Sequence, residues 1–188
     1  MTMTPIALAT ETAVDVAPVV AKPDGFISSS RVAAAASPLF VSLDAAKSAG
    51  TPVYTIDSEG ARTYLPPTFV GTLLSLTTIE KDYSGSYEAQ TKVLARFLIA
   101  NQPYVMHVGI NSWAGQSLLT SLAQLTPDQL QQQLMVRITC GKRTCFCRVS
   151  TGSEAMGWQP VAIDDGLLNH KLETTELLTM AAAIHELL

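Results

Sequence analysis

Between Phe69 and Val149 the chain reads as three consecutive strands, a helix, and a two-stranded hairpin with a basic turn. The first strand runs from about Phe69 to Lys81 and carries Gly71 early, where a tightly curved strand needs a residue without a side chain. The second, Thr91 to Ile99, alternates: Val93, Ala95, Phe97 and Ile99 share one face, and Lys92, Leu94 and Arg96 the other. After Asn101-Gln-Pro103 a third strand spans Tyr104 to Ile110. Asn111 or Ser112 then caps a helix whose Leu118, Leu119, Leu122 and Leu125 form one stripe. Thr126-Pro-Asp-Gln129 is a capping sequence that restarts it. Leu134–Cys140 and Cys145–Val149 enclose the turn Gly141-Lys-Arg-Thr144. The order β-β-β-α-β-β predicts a mainly β fold, a five-stranded OB-fold Greek-key barrel with a helix between strands three and four.

The flanks are less regular. Residues 1–24 have no period and no aromatic, and read as an extended arm or disordered leader. Residues 28–49 hold helix formers broken by Pro38, which predicts one or two short helical turns. Thr51–Ile56 and Arg62–Leu65 flank Asp57-Ser-Glu-Gly60, a turn sequence, and predict a small hairpin. From Asp165 to Leu188 a helical pattern places Leu177, Met180, Ala181, Ile184, Leu187 and Leu188 on one stripe. The resulting division is an N-terminal extension (1–65), the barrel domain (66–163) and a C-terminal helix (164–188).

Charge separates along the same lines. The chain has a net charge of −4, yet residues 62–150 hold eight basic residues against four acids, and both flanks are acidic. A basic centre fits an anionic ligand, although an uneven scatter of only twelve basic residues would also produce it. No apolar run is long enough for a transmembrane helix. The first residues lack a positive cluster, which argues against a secretory signal. Three cysteines (Cys140, Cys145, Cys147) do not make a secreted disulfide framework, so a reducing cytoplasm is expected.

Pairing Cys140 with Cys145 across the hairpin aligns Ile138 with Cys147 and Val136 with Val149. All three cysteines then join Leu134, Val136 and Ile138 on an apolar face. A zinc site on Cys140-x4-Cys145-x-Cys147, with or without His107, is disfavoured, because Cys145 and Cys147 are separated by one residue where zinc prefers pairs two to four apart, and the fourth ligand is unspecified. The spacing predicts reduced, buried, metal-free thiols. The opposite face carries Arg137, Thr139, Thr144, Phe146 and Arg148. Single-strand binders combine a positive groove with aromatic platforms. The candidates are Lys92, Arg96, Lys142, Arg143 and Arg148 for phosphate, and Tyr83, Tyr87 and Phe146 for stacking. His107, His170 and His185 have no partner at a triad spacing, and no glycine-rich phosphate loop occurs. Nothing calls for an enzyme or a cofactor.

Phe69-Val-Gly-Thr-Leu73, the charged-apolar second strand, the helix before strand four and the basic final hairpin resemble the bacterial single-stranded-DNA-binding protein family over about 80 residues. The resemblance is one of pattern. It implies an OB-fold, homo-oligomerisation and sequence-tolerant binding of single-stranded DNA, with RNA as the other nucleic acid to consider. The chain departs from that family in having about 65 residues before the barrel and in ending on Ile184-His-Glu-Leu-Leu188 instead of an acidic tip. Those departures favour a rival function, a structural or assembly protein that makes protein contacts through its arm and terminal helix.

Overall fold

The computed structural model of the chain describes residues 36–83, 87–163 and 170–188. The expected N-terminal arm and the start of the C-terminal pattern, at 164–169, lie outside the described residues. In chain order the elements are β1 (Ser37–Val41), α1 (Leu43–Ala49), β2 (Val53–Ile56), β3 (Arg62–Leu65), β4 (Thr68–Tyr83), β5 (Tyr87–Ile99) and β6 (Gln102–Gly109). Then follow α2 (Trp113–Ala123), α3 (Pro127–Leu130), β7 (Gln133–Cys140), β8 (Cys145–Ser153), β9 (Gly157–Pro160) and α4 (Thr174–Glu186).

The strands form one nine-stranded sheet in the order β3-β2-β1-β6-β5-β4-β7-β8-β9. β1 runs parallel to β6 and the other neighbours are antiparallel. This overturns the five-stranded OB-fold barrel: the sheet is open and mixed. Two occupied edges explain why it does not close. The edge of β6, which a closing strand would need, is taken by β1, with Phe40 opposite His107. The edge of β8 is taken by β9 over Ser150–Ser153 and met by α2 before that, where the Cys147 N–H donates to Ser117 Oγ at 2.9 Å. A helix covering a strand edge satisfies the same backbone groups that a further strand would.

A second finding concerns Pro38, which sits inside a strand, β1. Among the described residues of that region Leu43–Ala49 is helical, which supplies one of the short helical stretches expected. Ser42 caps it, accepting from the Asp44 and Ala45 amides, and Gly50 closes it in the left-handed region at φ 74°. The hairpin expected before residue 66 forms as β2 and β3, and β1 joins it to the main sheet.

The core lies on the inner face. Leu73, Leu76, Val93, Phe97, Leu134, Val136 and Val149 meet Leu118 and Leu122 of α2 and Leu177 and Ile184 of α4. Phe69 packs edge-on against Phe97, with ring centroids 5.3 Å apart. β4 bends at a register shift between Leu73 and Ser75. A Cβ at Gly71 would come within 2.8 Å of the Leu98 carbonyl oxygen, so the close approach of β5 here needs glycine.

α2 is buried from Ala114 to Leu122 on every side, although it contains Gln, Ser and Thr. Its hydroxyls are satisfied within the helix. Ser117 Oγ donates to the Trp113 carbonyl (2.6 Å), Thr120 to that of Gln116 (2.9 Å), and Ser121 to that of Ser117 (2.7 Å). Gln116 holds the chain leading to α4, donating to the His170 carbonyl at 2.8 Å and accepting from the Leu172 amide at 3.1 Å. The N-cap is Ser112, and Thr126 with Gln129 forms the expected capping box.

The cysteine expectation also fails in part. Cys140 and Cys145 are joined by a disulfide, and Cys140 is only half-buried. Cys147 is a buried thiol. Gly141 N–H donates to the Thr144 carbonyl at 2.8 Å, so the next pair, Cys140 and Cys145, faces across the ladder without mutual backbone bonds. Side chains approach most closely at such pairs, which is what the covalent link needs. The step from unpaired cysteines to a reducing cytoplasm therefore loses its premise. Among the described residues, no helix is long and apolar enough to cross a membrane.

Candidate nucleic-acid interface

Strand alternation assigns the two faces. On β5, Val93, Ala95 and Phe97 are fully buried beneath the helices, so Lys92, Leu94 and Arg96 point to the opposite, outer face, each half-buried. Register then carries that outer face across the sheet. Leu94 is opposite His107 on β6, His107 opposite Phe40 on β1, Phe40 opposite Tyr54 on β2, and Tyr54 opposite Tyr64 on β3.

The rings form a continuous row. Phe40 and His107 lie 5.2 Å apart between centroids, Phe40 and Tyr54 are stacked at 5.5 Å, and Tyr54 and Tyr64 are tilted at 6.1 Å. Arg62 places its guanidinium 4.9 Å from the Tyr54 ring centroid, in cation–π contact. Tyr54 is buried by these neighbours, whereas Tyr64 is 41 % exposed and presents its outer side to solvent.

The other end of the row is basic. Burial holds the His107 imidazole below its ordinary pKa, and the positive charges of Lys92 and Lys81 lower it further. Lys92 and Lys81 thus lie within electrostatic reach of the ring row, with Arg96 on the same face of β5. The side chains of Lys81, Lys92 and Arg96 are all engaged with partners, so an anion would add to existing contacts or exchange with them. A diagonal band results, aromatic in the middle, with Arg62 at one end and Lys81, Lys92 and Arg96 at the other.

The remaining sequence candidates sit elsewhere. Lys142 and Arg143 are exposed in the β7–β8 turn. Arg148 is exposed directly opposite Arg137, also exposed. Like charges in register repel, so this pair favours a counter-anion. Phe146 is half-buried, with its ring 5.8 Å from that of Trp113. Tyr83 and Tyr87 pair in backbone register at the ends of β4 and β5, and their side chains lie outside the described residues. Lys92 is opposite Ile79, Arg96 opposite Ser75 and Arg137 opposite Thr68, so measured along β4 Arg137 lies roughly 35 Å from Lys92 and roughly 23 Å from Arg96.

Sequence reasoning found Lys92 and Arg96 but missed Phe40, Tyr54, Arg62, Tyr64, Lys81 and His107. The alternation of Val53-Tyr54-Thr55-Ile56 and Arg62-Thr63-Tyr64-Leu65 was a usable signal for which residues share a face. What it lacked was β1, the strand that ties this hairpin to β6.

The inner face of the same wing has a different character. Leu39, Val53, Leu65, Phe69, Ile99 and Tyr104 help line a cavity of about 330 Å³ in which no lining residue is charged, so it offers nothing to an anion. Among the described residues no three His, Cys, Asp or Glu side chains gather as a metal site would require. No protein-family model, curated protein or solved structure matches the chain.

Proposed function

We propose that the outer face of this sheet binds single-stranded nucleic acid in a sequence-tolerant way. The observation that carries the reading is the band itself: a ring row across β6, β1, β2 and β3 with cationic side chains at both ends. Bases offer π-faces and phosphates offer charge, and both are tolerant of sequence. The rings of Phe40 and Tyr54 face each other, so Tyr64 is the residue best placed to receive a base, with the others holding it in position. Arg62, Lys81, Lys92 and Arg96 supply the charge. The test is a titration of labelled oligo(dT) at low salt with wild type and Tyr64→Ala. Loss of one stacking ring should weaken binding by on the order of 1–3 kcal/mol. Absence of wild-type binding at low salt overturns the reading.

One observation favours the assembly reading as the second choice. Among the described residues β7 pairs only with Thr68–Thr72, so the rest of that edge of β4 has no strand partner. Leu74 and Ile79 of this part of β4 are exposed, as is Leu178 of α4, which packs beside Thr77 and Thr78. An unpaired edge with apolar neighbours is a template for another chain. Light scattering that finds a monomer at all concentrations would remove this reading.

A further inference from the structure

We propose that Cys140 and Cys145 form a reversible two-electron thiol–disulfide couple that holds or releases the basic turn Gly141–Thr144. The pair stands at the base of the turn, one residue beyond each end of it. Among the described residues, the hydrogen bond spanning the turn is the one from Gly141 N–H to the Thr144 carbonyl, so the disulfide is its principal clasp. Gly141, Lys142 and Arg143 are exposed and Cys140 is half-buried, which gives an external reductant a line of attack.

The change is confined to the turn. Below the clasp the ladder continues through Thr139–Phe146, Ile138–Cys147 and Val136–Val149, and Cys147 N–H is tied to α2. Cys147 is the one cysteine that could intercept the exchange from within. It is fully buried and its thiol is pushed up to about 12, so it supplies almost no thiolate. Reduction therefore falls to an outside thiol, and a dithiol completes both of its steps.

One thiolate of the dithiol attacks the Cys140 sulfur, breaking the Cys140–Cys145 bond and forming a mixed disulfide, while Cys145 leaves and takes up a proton. The second thiol then attacks the reagent's own sulfur and releases Cys140 as a thiol. The protein gains two electrons and two protons, and the dithiol becomes a disulfide.

The couple is read from turn opening, so it stands whether or not the outer face binds single strands. The experiment uses the full chain, purified without reductant and then treated with dithiothreitol. Alkylation of the native protein followed by mass spectrometry should label neither Cys140 nor Cys145 before reduction and both after it. Cys147 should stay unlabelled throughout, which reports that the fold persists. Trypsin cleavage after Lys142 or Arg143 should quicken by about tenfold on reduction, because the turn opens locally. Oxidised dithiothreitol should restore the slow rate. The Cys140→Ser, Cys145→Ser variant should be cleaved at the fast rate with or without reductant. Were that variant not to fold, reduced wild type gives the same reading. Native labelling of Cys140 and Cys145 before reduction, equal cleavage rates in both states, or labelling of Cys147 on reduction would each overturn the proposal.

Discussion

Gly115 occupies the first turn of α2, and a Cβ there would run into the Gly109 carbonyl at the end of β6. Both contacting groups are backbone, so neither can rotate away. Gly115→Ala should therefore destabilise the fold by about 1–3 kcal/mol despite alanine's better helix propensity. A fall in denaturation midpoint checks this, and an unchanged or higher midpoint refutes it. His107 gives a pH prediction at the same scale. Its pKa in the folded chain lies below 6.5, through burial first and then Lys92 and Lys81. Above 6.5 the ring is neutral folded and unfolded, so its contribution is fully present. As pH falls below 6.5 the unfolded chain takes up the proton first, and stability is lost toward the lowered folded value. His107→Phe keeps a ring beside Phe40 but cannot titrate. Comparing denaturation of the two proteins from about pH 7.5 to pH 5 should show a smaller loss in the variant. Parallel curves would remove His107 as a contributor.

At the scale of elements, the joint between α2 and β8 helps to keep the sheet open. Ser117 Oγ both donates to the Trp113 carbonyl and accepts from the buried Cys147 amide. Ser117→Ala would leave that amide without its partner, a cost of about 1–3 kcal/mol, and Ser117→Thr should recover part of it. Equal stability of Ala and wild type would show that the hydroxyl is dispensable. This joint also explains what could be read from the chain and what could not. β4 to β8 and the helix among them were legible because each announces itself locally: the alternation of 92–99, the leucine stripe of α2, the Thr126 capping box. Closure is not local. It depends on which groups occupy each strand edge, and nothing in the spacing of Ser117 says that its hydroxyl will meet the Cys147 amide thirty residues away. Pro38 misled for a related reason. Proline breaks helices, but it is tolerated in a short strand at a position where its missing N–H is not required. The aromatic band was hidden by the same gap, since Phe40 and His107 become neighbours only through the parallel β1–β6 pairing.

Across the whole molecule the positive charge is divided between the aromatic band and the β7–β8 hairpin, and the division itself can be tested. Arg62, Lys81, Lys92 and Arg96 belong to the band, whereas Lys142, Arg143 and Arg148 belong to the hairpin, whose Arg148 stands level with Thr68, roughly 35 Å along β4 from Lys92 and roughly 23 Å from Arg96. Each phosphate contact on a single strand contributes about 0.7 to the log–log salt slope, so four contacts imply a slope near −2.8 and seven a slope near −4.9. A short oligo(dT) of about six nucleotides should engage the band alone and show the shallower slope. A longer strand that follows the sheet to the hairpin should show the steeper one. Lys142→Glu with Arg143→Glu should weaken binding of the long strand and flatten its slope toward that of the short one. The same variant should leave the short strand's affinity nearly unchanged and, because the turn is exposed, leave the denaturation midpoint where it was. Identical slopes for short and long strands would show that the hairpin takes no part. A short strand weakened as much as the long one would place the binding site at the turn instead of the ring row, and would displace Tyr64 and its neighbours from the interface.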